Sequence, residues 1–199
     1  EAGNVLDLAA KMVSAIRLSE IIVMAAGKAA SVVDALKNYT RTDSEGEAVL
    51  VDVEAEIVTI LTLYANRLKY GIEVHLDFTA HVGTRGLRDR LNQVWINLVN
   101  NALQAMKSRG ILEIGTAERS GWLVVSIVDS GCGIPDEIKD RIFEPFFTTK
   151  PLGEGTGLGL DIARKIVEQH GGMIEFDSVP GRTEFRVLLK AASIGKEEA

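Results

Sequence analysis

A change of hydrophobic period near residue 45 constrains this chain most. From about Val5 to Arg41 there is no proline, and apolar residues recur at alternating steps of three and four: Ala15, Leu18, Ile22, Ala25, Ala29, Val32, Leu36 and Tyr39. Such steps keep side chains on one stripe of a helix, the seam of a coiled coil or bundle. Gly27 interrupts the stripe at a cost of about 1 kcal/mol relative to alanine, which fits a kink or a close helix contact. A plain core helix is the other reading. A bundle helix is favoured because the seam outruns most globular helices and stands ahead of a separate domain. The polar turn Arg41-Thr42-Asp43-Ser44-Glu45-Gly46-Glu47 ends it and marks the boundary.

Beyond that turn the two periods alternate. A short strand is expected at 48–51 and a helix at 52–69, with Val53, Ile57, Ile60, Leu61 and Tyr64 on one side. Ile72, Val74, Leu76 and Phe78 alternate with polar residues, the pattern of a strand with one buried face. Helices follow at 88–107 and 157–170. Strands follow at 111–117, 122–129, 173–178 and 184–190, the first two joined through Arg119-Ser120-Gly121. The regular rhythm of a parallel βαβ sheet is absent. The expected fold class is α+β: a two-layer α/β sandwich with a mixed sheet of about five strands covered by three helices, preceded by a long dimerisation-type helix. The corresponding division is 1–45, 46–192 and a tail at 193–199.

Composition narrows the function. With 28 acidic against 22 basic residues the net charge is −6, which argues against a broad basic face for nucleic acid. An anionic ligand would have to be held by local groups: backbone N–H, a helix N-terminus, a metal, or a few placed cations. The single cysteine, Cys132, makes no intrachain disulfide and belongs to no cluster with metal-ligand spacing. No apolar run approaches the roughly 18 residues that span a bilayer, so no direct membrane contact is expected. A cytoplasmic setting fits. The start, Glu1-Ala2-Gly3-Asn4, has neither initiator methionine nor basic leader, and a piece of a longer protein, with any membrane anchor outside these residues, is the expectation.

Four stretches carry chemistry. The helix at 88–107 has an apolar stripe of Leu91, Val94, Leu98, Ala102 and Met106, while Asn97 and Asn101, four apart, share another face. Side-chain carbonyls suit magnesium, which takes one or two protein ligands and completes its shell with water and phosphate. A solvated polar face shared with Asn100 and Gln104 is the alternative. Next, an apolar strand ends in Asp129-Ser130-Gly131-Cys132-Gly133-Ile134-Pro135. A carboxylate followed by two glycines places a hydrogen-bond acceptor beside backbone that a flat ligand can approach, and it suits the exocyclic amine of adenine while repelling guanine's carbonyl. A glycine-rich turn with an Asx cap gives the same letters. Then Gly153-Glu154-Gly155-Thr156-Gly157-Leu158-Gly159-Leu160 opens a helix that stops at Gly171-Gly172. Free N–H groups at such an N-terminus bind phosphate without net positive charge. Between the glycine clusters, Phe143, Phe146 and Phe147 precede Lys150, either as a lid over a nucleotide or as a satellite core cluster. His75, His81 and His170 fall on a strand, a loop and a helix end and are read as structural or exposed.

In this order the motifs resemble the ATP-binding domain of sensor histidine kinases, in the superfamily that includes DNA gyrase B, MutL and the large heat-shock chaperone ATPases. Asn-Leu-Val-Asn-Asn-Ala-Leu-Gln-Ala at 97–105 looks like the N box, 129–133 the first glycine box, 143–150 the F box and 153–160 the second glycine box. The resemblance covers about residues 20–190 and is nearest to the nitrogen-regulation type. It implies ATP and magnesium as cofactors, Asn101 as the metal ligand, Asn97 and Lys150 as catalytic residues near the phosphates, and Asp129 on the adenine amine. It further implies nucleotide contacts from Gln104, Gly131, Gly133, Ile134, Phe147, Gly155, Thr156, Gly157, Leu158, Gly159 and Thr183, with 134–156 as the lid. Position 104 is glutamine where many relatives carry lysine, and Lys150 is the expected substitute. Pro180-Gly181-Arg182-Thr183-Glu184-Phe185 lacks the second glycine of the family's closing element.

The implied partners are a response-regulator receiver domain and a second copy joined through the N-terminal helix. The family's phosphoacceptor histidine is missing, since no histidine precedes His75. The expectation is a chain that begins after that histidine, whose γ-phosphate acceptor lies elsewhere in the parent protein. A degenerate nucleotide-binding interaction module is the alternative, and a mechanical ATPase of the gyrase or chaperone kind is disfavoured by Phe-Phe-Thr-Thr-Lys and the preceding helix.

Overall fold

A computed structural model describes residues 47–107, 109–151 and 155–193, with isolated helical positions between Lys11 and Ile22. The chain divides into two compact units, one of Glu1–Ser44 with Phe146–Gly157 and the other of Glu45–Pro145 with Leu158–Ala199. Of the expected bundle seam, only Leu18 and Ile22 are described, both helical and exposed. Ala15, Ala25, Gly27, Ala29, Val32, Leu36 and Tyr39 lie outside the described residues, as does the tail from 194 on.

The second unit is the α+β sandwich. Its main sheet has five strands in the order β2 (Ile72–Phe78), β4 (Gly110–Arg119), β5 (Trp122–Asp129), β7 (Arg182–Lys190) and β6 (Met173–Val179). β2 runs parallel to β4 and every other pair is antiparallel, so the sheet is mixed as expected. Strict alternation on β5 and β7 buries Leu123, Val125 and Ile127 beside Phe185, Val187 and Leu189 on a single face. Helices α1 (Val53–Leu63), α3 (Arg88–Ala105) and α4 (Gly159–Gln169) accompany that sheet, with a single turn, α2 (Ala65–Leu68), following α1.

Each helix has a local cause. Asp52 caps α1, its Oδ1 accepting from the Ala55 N–H at 3.0 Å, and Val53, Ile57, Ile60 and Leu61 are buried. The single helix expected at 52–69 breaks at Tyr64. The stripe residues Leu91, Val94, Leu98 and Ala102 of α3 and its C-cap Met106 are all buried, together with Trp95 and Val99. α3 is tied to α1 through Glu56, which accepts from Asn92 at 2.7 Å and faces Arg88 at 3.4 Å.

Three elements were not anticipated. Val82–Gly86 is a strand, β3, which pairs with β1 (Val49–Val51) and β8 (Ala192–Ser193) in a separate three-stranded sheet. Its sequence, Val-Gly-Thr-Arg-Gly, carries two glycines and little alternation, so tertiary pairing decides it. The boundary expected at 192 cuts β8. Asp136–Arg141 forms a 3-10 turn, within what the sequence marks as lid.

Candidate functional site

The buried face of the main sheet changes character at one end. Asp129 on β5 is the register partner of Leu112 on β4 and of Thr183 on β7, and Thr183 is the partner of Ser178 on β6. The last rung therefore sets three buried polar side chains, Asp129, Thr183 and Ser178, where the next rung on that face carries Ile114, Ile127, Phe185 and Phe176.

Asp129 is held from one side. Its Oδ1 accepts the Gly131 N–H at 2.8 Å, and no hydrogen bond reaches Oδ2 among the described residues. Burial pushes its carboxyl up to about 6, against the opposing pull of the Gly131 N–H. A side chain at residue 131 is impossible without rearrangement: a Cβ would lie 2.5 Å from Asp129 Oδ1 and 2.6 Å from the Ala105 Cβ. The turn after β5 is thereby pressed onto the last turn of α3. At Gly133, where φ is +79°, a Cβ would strike the Val179 carbonyl oxygen at 2.5 Å. Ile134 then donates its N–H to Ser178 Oγ at 2.8 Å.

Along α3 the structure separates asparagines that the sequence leaves equivalent. Asn92 is bound to Glu56, and Asn100 accepts from Arg67 at 2.9 Å. Asn97 keeps a buried Nδ2 with no partner, and Asn101, half-buried, makes no hydrogen bond among the described residues. Asn97, Asn100 and Asn101 are all half-buried. Gln104, half-buried, immediately precedes Ala105, against which Gly131 packs. A methyl placed on Gly159, the first residue of α4, would come within 3.5 Å of Asn97 Oδ1, so that N-terminus lies against Asn97. Leu158, its N-cap, is buried.

The other expected site residues belong to the first unit. There, Gly155 packs on Lys150 and Thr148, its Cβ position 2.9 Å from Lys150 Cδ. Gly157, at φ +68°, leaves no room for a Cβ against the Phe146 backbone, 2.3 Å away. Phe147 is half-buried and Thr156 lies beside Gly157 in the same loop. The segment expected as a lid, 134–156, is accordingly divided: 134–145 belongs to the second unit, and its described residues from 146 on belong to the first. The phenylalanines divide too. Phe143 packs edge-on against Phe176, which stacks on Phe185, so this ring has the core role, while Phe146 is exposed.

Two residues escaped the sequence reading. Ser178 is one serine on an amphipathic strand, without local signal. Asp161 is buried in the first turn of α4, with Oδ2 3.1 Å from Lys165 and Oδ1 unpartnered; acidic residues are ordinary at helix starts, so nothing singled it out.

Comparison with known proteins follows this geometry. Residues 86–193, more than half of the chain, match the family described as histidine kinase-, DNA gyrase B-, and HSP90-like ATPase. The chain is 43% identical over 129 residues to the sensor histidine kinase ZraS of Escherichia coli (strain K12), covering 63% of this chain and 27% of that protein. It is 43% identical over 119 residues to the sensory histidine kinase/phosphatase NtrB of Azospirillum brasilense, covering 52% of this chain and 29% of that protein. It thus spans under a third of either relative. The nucleotide-free catalytic domain of histidine kinase ThkA superposes with TM-score 0.67 at 32% identity, covering 73% of this chain and 98% of that one. A structure of the same kinase in complex with the response regulator protein TrrA gives TM-score 0.70 at 28% identity, covering 84% of this chain and 49% of that one. A mixed five-stranded sheet ending in a polar rung, helices on its buried face and these matches agree: the chain belongs to the histidine kinase-, DNA gyrase B- and HSP90-like ATPase family, as a sensor histidine kinase catalytic domain.

Proposed function

We propose that this domain binds ATP lengthwise along α3, with adenine at Asp129 and the phosphates at Asn97 and the N-terminus of α4. The carrying observation is one of placement. Gly131, and with it Asp129, packs at Ala105, while Gly159 packs at Asn97, eight residues earlier on the same helix. At about 1.5 Å per residue the two contacts stand roughly 12 Å apart, suited to an extended nucleoside triphosphate. Asp129 Oδ2 accepts the adenine amine. The unpartnered Asn97 Nδ2 donates to a phosphate oxygen, and the first N–H groups of α4 supply further donors.

Among the described residues no group of three or more His, Cys, Asp or Glu is arranged to hold a metal. A magnesium ion that arrives with its phosphates needs no such group, and the uncommitted Asn101 amide oxygen is a fitting single ligand. Bound there, magnesium would neutralise phosphate charge as the γ-phosphoryl leaves. Lys150 supplies charge from its own loop; Gly155, Thr156, Gly157 and Phe147 are assigned with it on their order in the sequence. In the whole protein the acceptor is a histidine nitrogen, the later receiver a response-regulator domain, and the assembly a homodimer through the N-terminal helix. Among the described residues no helix is long and apolar enough to cross a membrane, and we place this domain in the cytoplasm.

Calorimetry tests the site. Asp129→Ala removes a charge-assisted hydrogen bond of about 1.5–3 kcal/mol and should weaken ATP at least tenfold. Unchanged affinity would remove Asp129 from the adenine subsite. Asn101→Ala should displace the magnesium dependence of binding; a superimposable magnesium titration would remove Asn101 as ligand.

A further inference from the structure

We propose that Ser178 is a positioning residue that fixes the hydroxyl of Thr183 as a hydrogen-bond donor beside Asp129, so that the last rung of the sheet reads the edge of the purine. The inference rests on the nucleotide reading above and adds to it the residue that orients Thr183.

Ser178 Oγ accepts the Ile134 N–H at 2.8 Å and lies 2.9 Å from Thr183 Oγ1. A hydroxyl has one proton to give. If Thr183 gave its proton to Ser178, Ser178 Oγ would accept twice and its own proton would be stranded in a residue only 6% exposed, with no further partner. If Ser178 gives its proton to Thr183, the remaining proton belongs to Thr183, itself only 3% exposed, but it lies beside Asp129, where a bound ligand can accept it. The amide that feeds Ser178 polarises its O–H and strengthens that direction. The chain then runs from the Ile134 N–H to Ser178 and on to Thr183, whose free donor emerges next to its register partner Asp129.

Directly paired residues on neighbouring strands project from the same face, about 5 Å apart. The rung therefore offers an acceptor, Asp129 Oδ2, beside a donor, Thr183 O–H. Adenine presents the complement, an amine donor next to a ring-nitrogen acceptor. Guanine and hypoxanthine present the reverse, a carbonyl acceptor next to an N–H donor, and meet like groups on both sides. The Lys139 ammonium, bound to the Ser178 carbonyl at 2.8 Å, holds the Ser178 backbone in place. Ser178 has no ligand contact of its own in this scheme; it acts through Thr183.

The test is calorimetric titration of the 199-residue chain with ATP and with inosine triphosphate, for wild type, Ser178→Ala, Thr183→Val and the double variant, thermal unfolding being followed for each. Wild type should prefer ATP. Ser178→Ala should lose about three- to tenfold in ATP affinity and narrow the ATP-to-inosine ratio. In the Thr183→Val background the same change should cost nothing further, because the donor it orients is gone. Equal losses in both backgrounds, or an unchanged nucleotide ratio in Ser178→Ala, would overturn the relay and leave Ser178 as a loop anchor. Were Ser178→Ala unfolded, Thr183→Val alone decides: retention of the full ATP preference overturns the proposal and its loss supports it. Absence of ATP binding by the folded wild type would instead overturn the nucleotide reading itself.

Discussion

At the scale of single residues, Asp129 carries an internal conflict between stability and binding. Its carboxyl is raised from 3.8 to about 6, chiefly by burial, so the folded state holds a proton that the unfolded chain has released anywhere between those values. Acidification through that window stabilises the fold through this group, and above about pH 6 the buried charge costs stability. Ligand binding has the opposite preference, since only the ionised carboxylate accepts well from an amine. ATP affinity should therefore fall as pH drops below about 6. Between about pH 4 and 6 binding should release a proton, detectable as a dependence of the calorimetric enthalpy on buffer ionisation; a flat affinity profile from pH 5 to 8 would contradict it. Asp129→Asn should separate the two effects, raising the melting temperature while weakening ATP, and a drop in both would mean the charge itself supports the fold. The letters Asp-Ser-Gly-Cys-Gly announced an acceptor beside a close backbone approach; its burial, and hence its altered proton affinity, required the three-strand rung.

At the scale of elements, the N-terminus of α3 depends on a residue far along the chain. Leu87, its N-cap, has no capping side chain, and its N–H instead donates to His170 Nε2 at 3.0 Å, while His170 Nδ1 donates to the Ile166 carbonyl at 2.7 Å. The end of α4 thus caps the start of α3, and a side chain at Gly86 would strike the imidazole at 2.4 Å. His170→Ala should orphan a partly buried amide and lower stability by about 1–3 kcal/mol in denaturant unfolding; a loss within about 0.5 kcal/mol would show that water replaces the ring. Periodicity exposed α3 and the core strands because their burial is one-sided over many residues. It did not expose β3, whose five residues form a strand only by pairing on both sides with β1 and β8, nor the break at Tyr64.

At the scale of the whole molecule, His170 and His75 are poor phosphate acceptors. Both ring nitrogens of His170 are engaged, and His75 stands on β2 paired with Glu73 at 2.8 Å, which holds its proton affinity above the ordinary value. Incubated with Mg-ATP, the 199-residue chain should bind nucleotide without accumulating acid-labile phosphohistidine; a stable phosphohistidine on it would refute that. The amino-acid sequence alone determined the class of ligand and the order of the motifs, because a glycine-flanked acceptor, an asparagine pair and a glycine-rich helix start are each local chemistry. Only the tertiary structure decided which of the described asparagines are free, that the segment expected as a lid is divided, and that Ser178 and Thr183 complete a rung with Asp129. Those outcomes depend on contacts between residues tens of positions apart, where strand register and burial, rather than local pattern, select the partners.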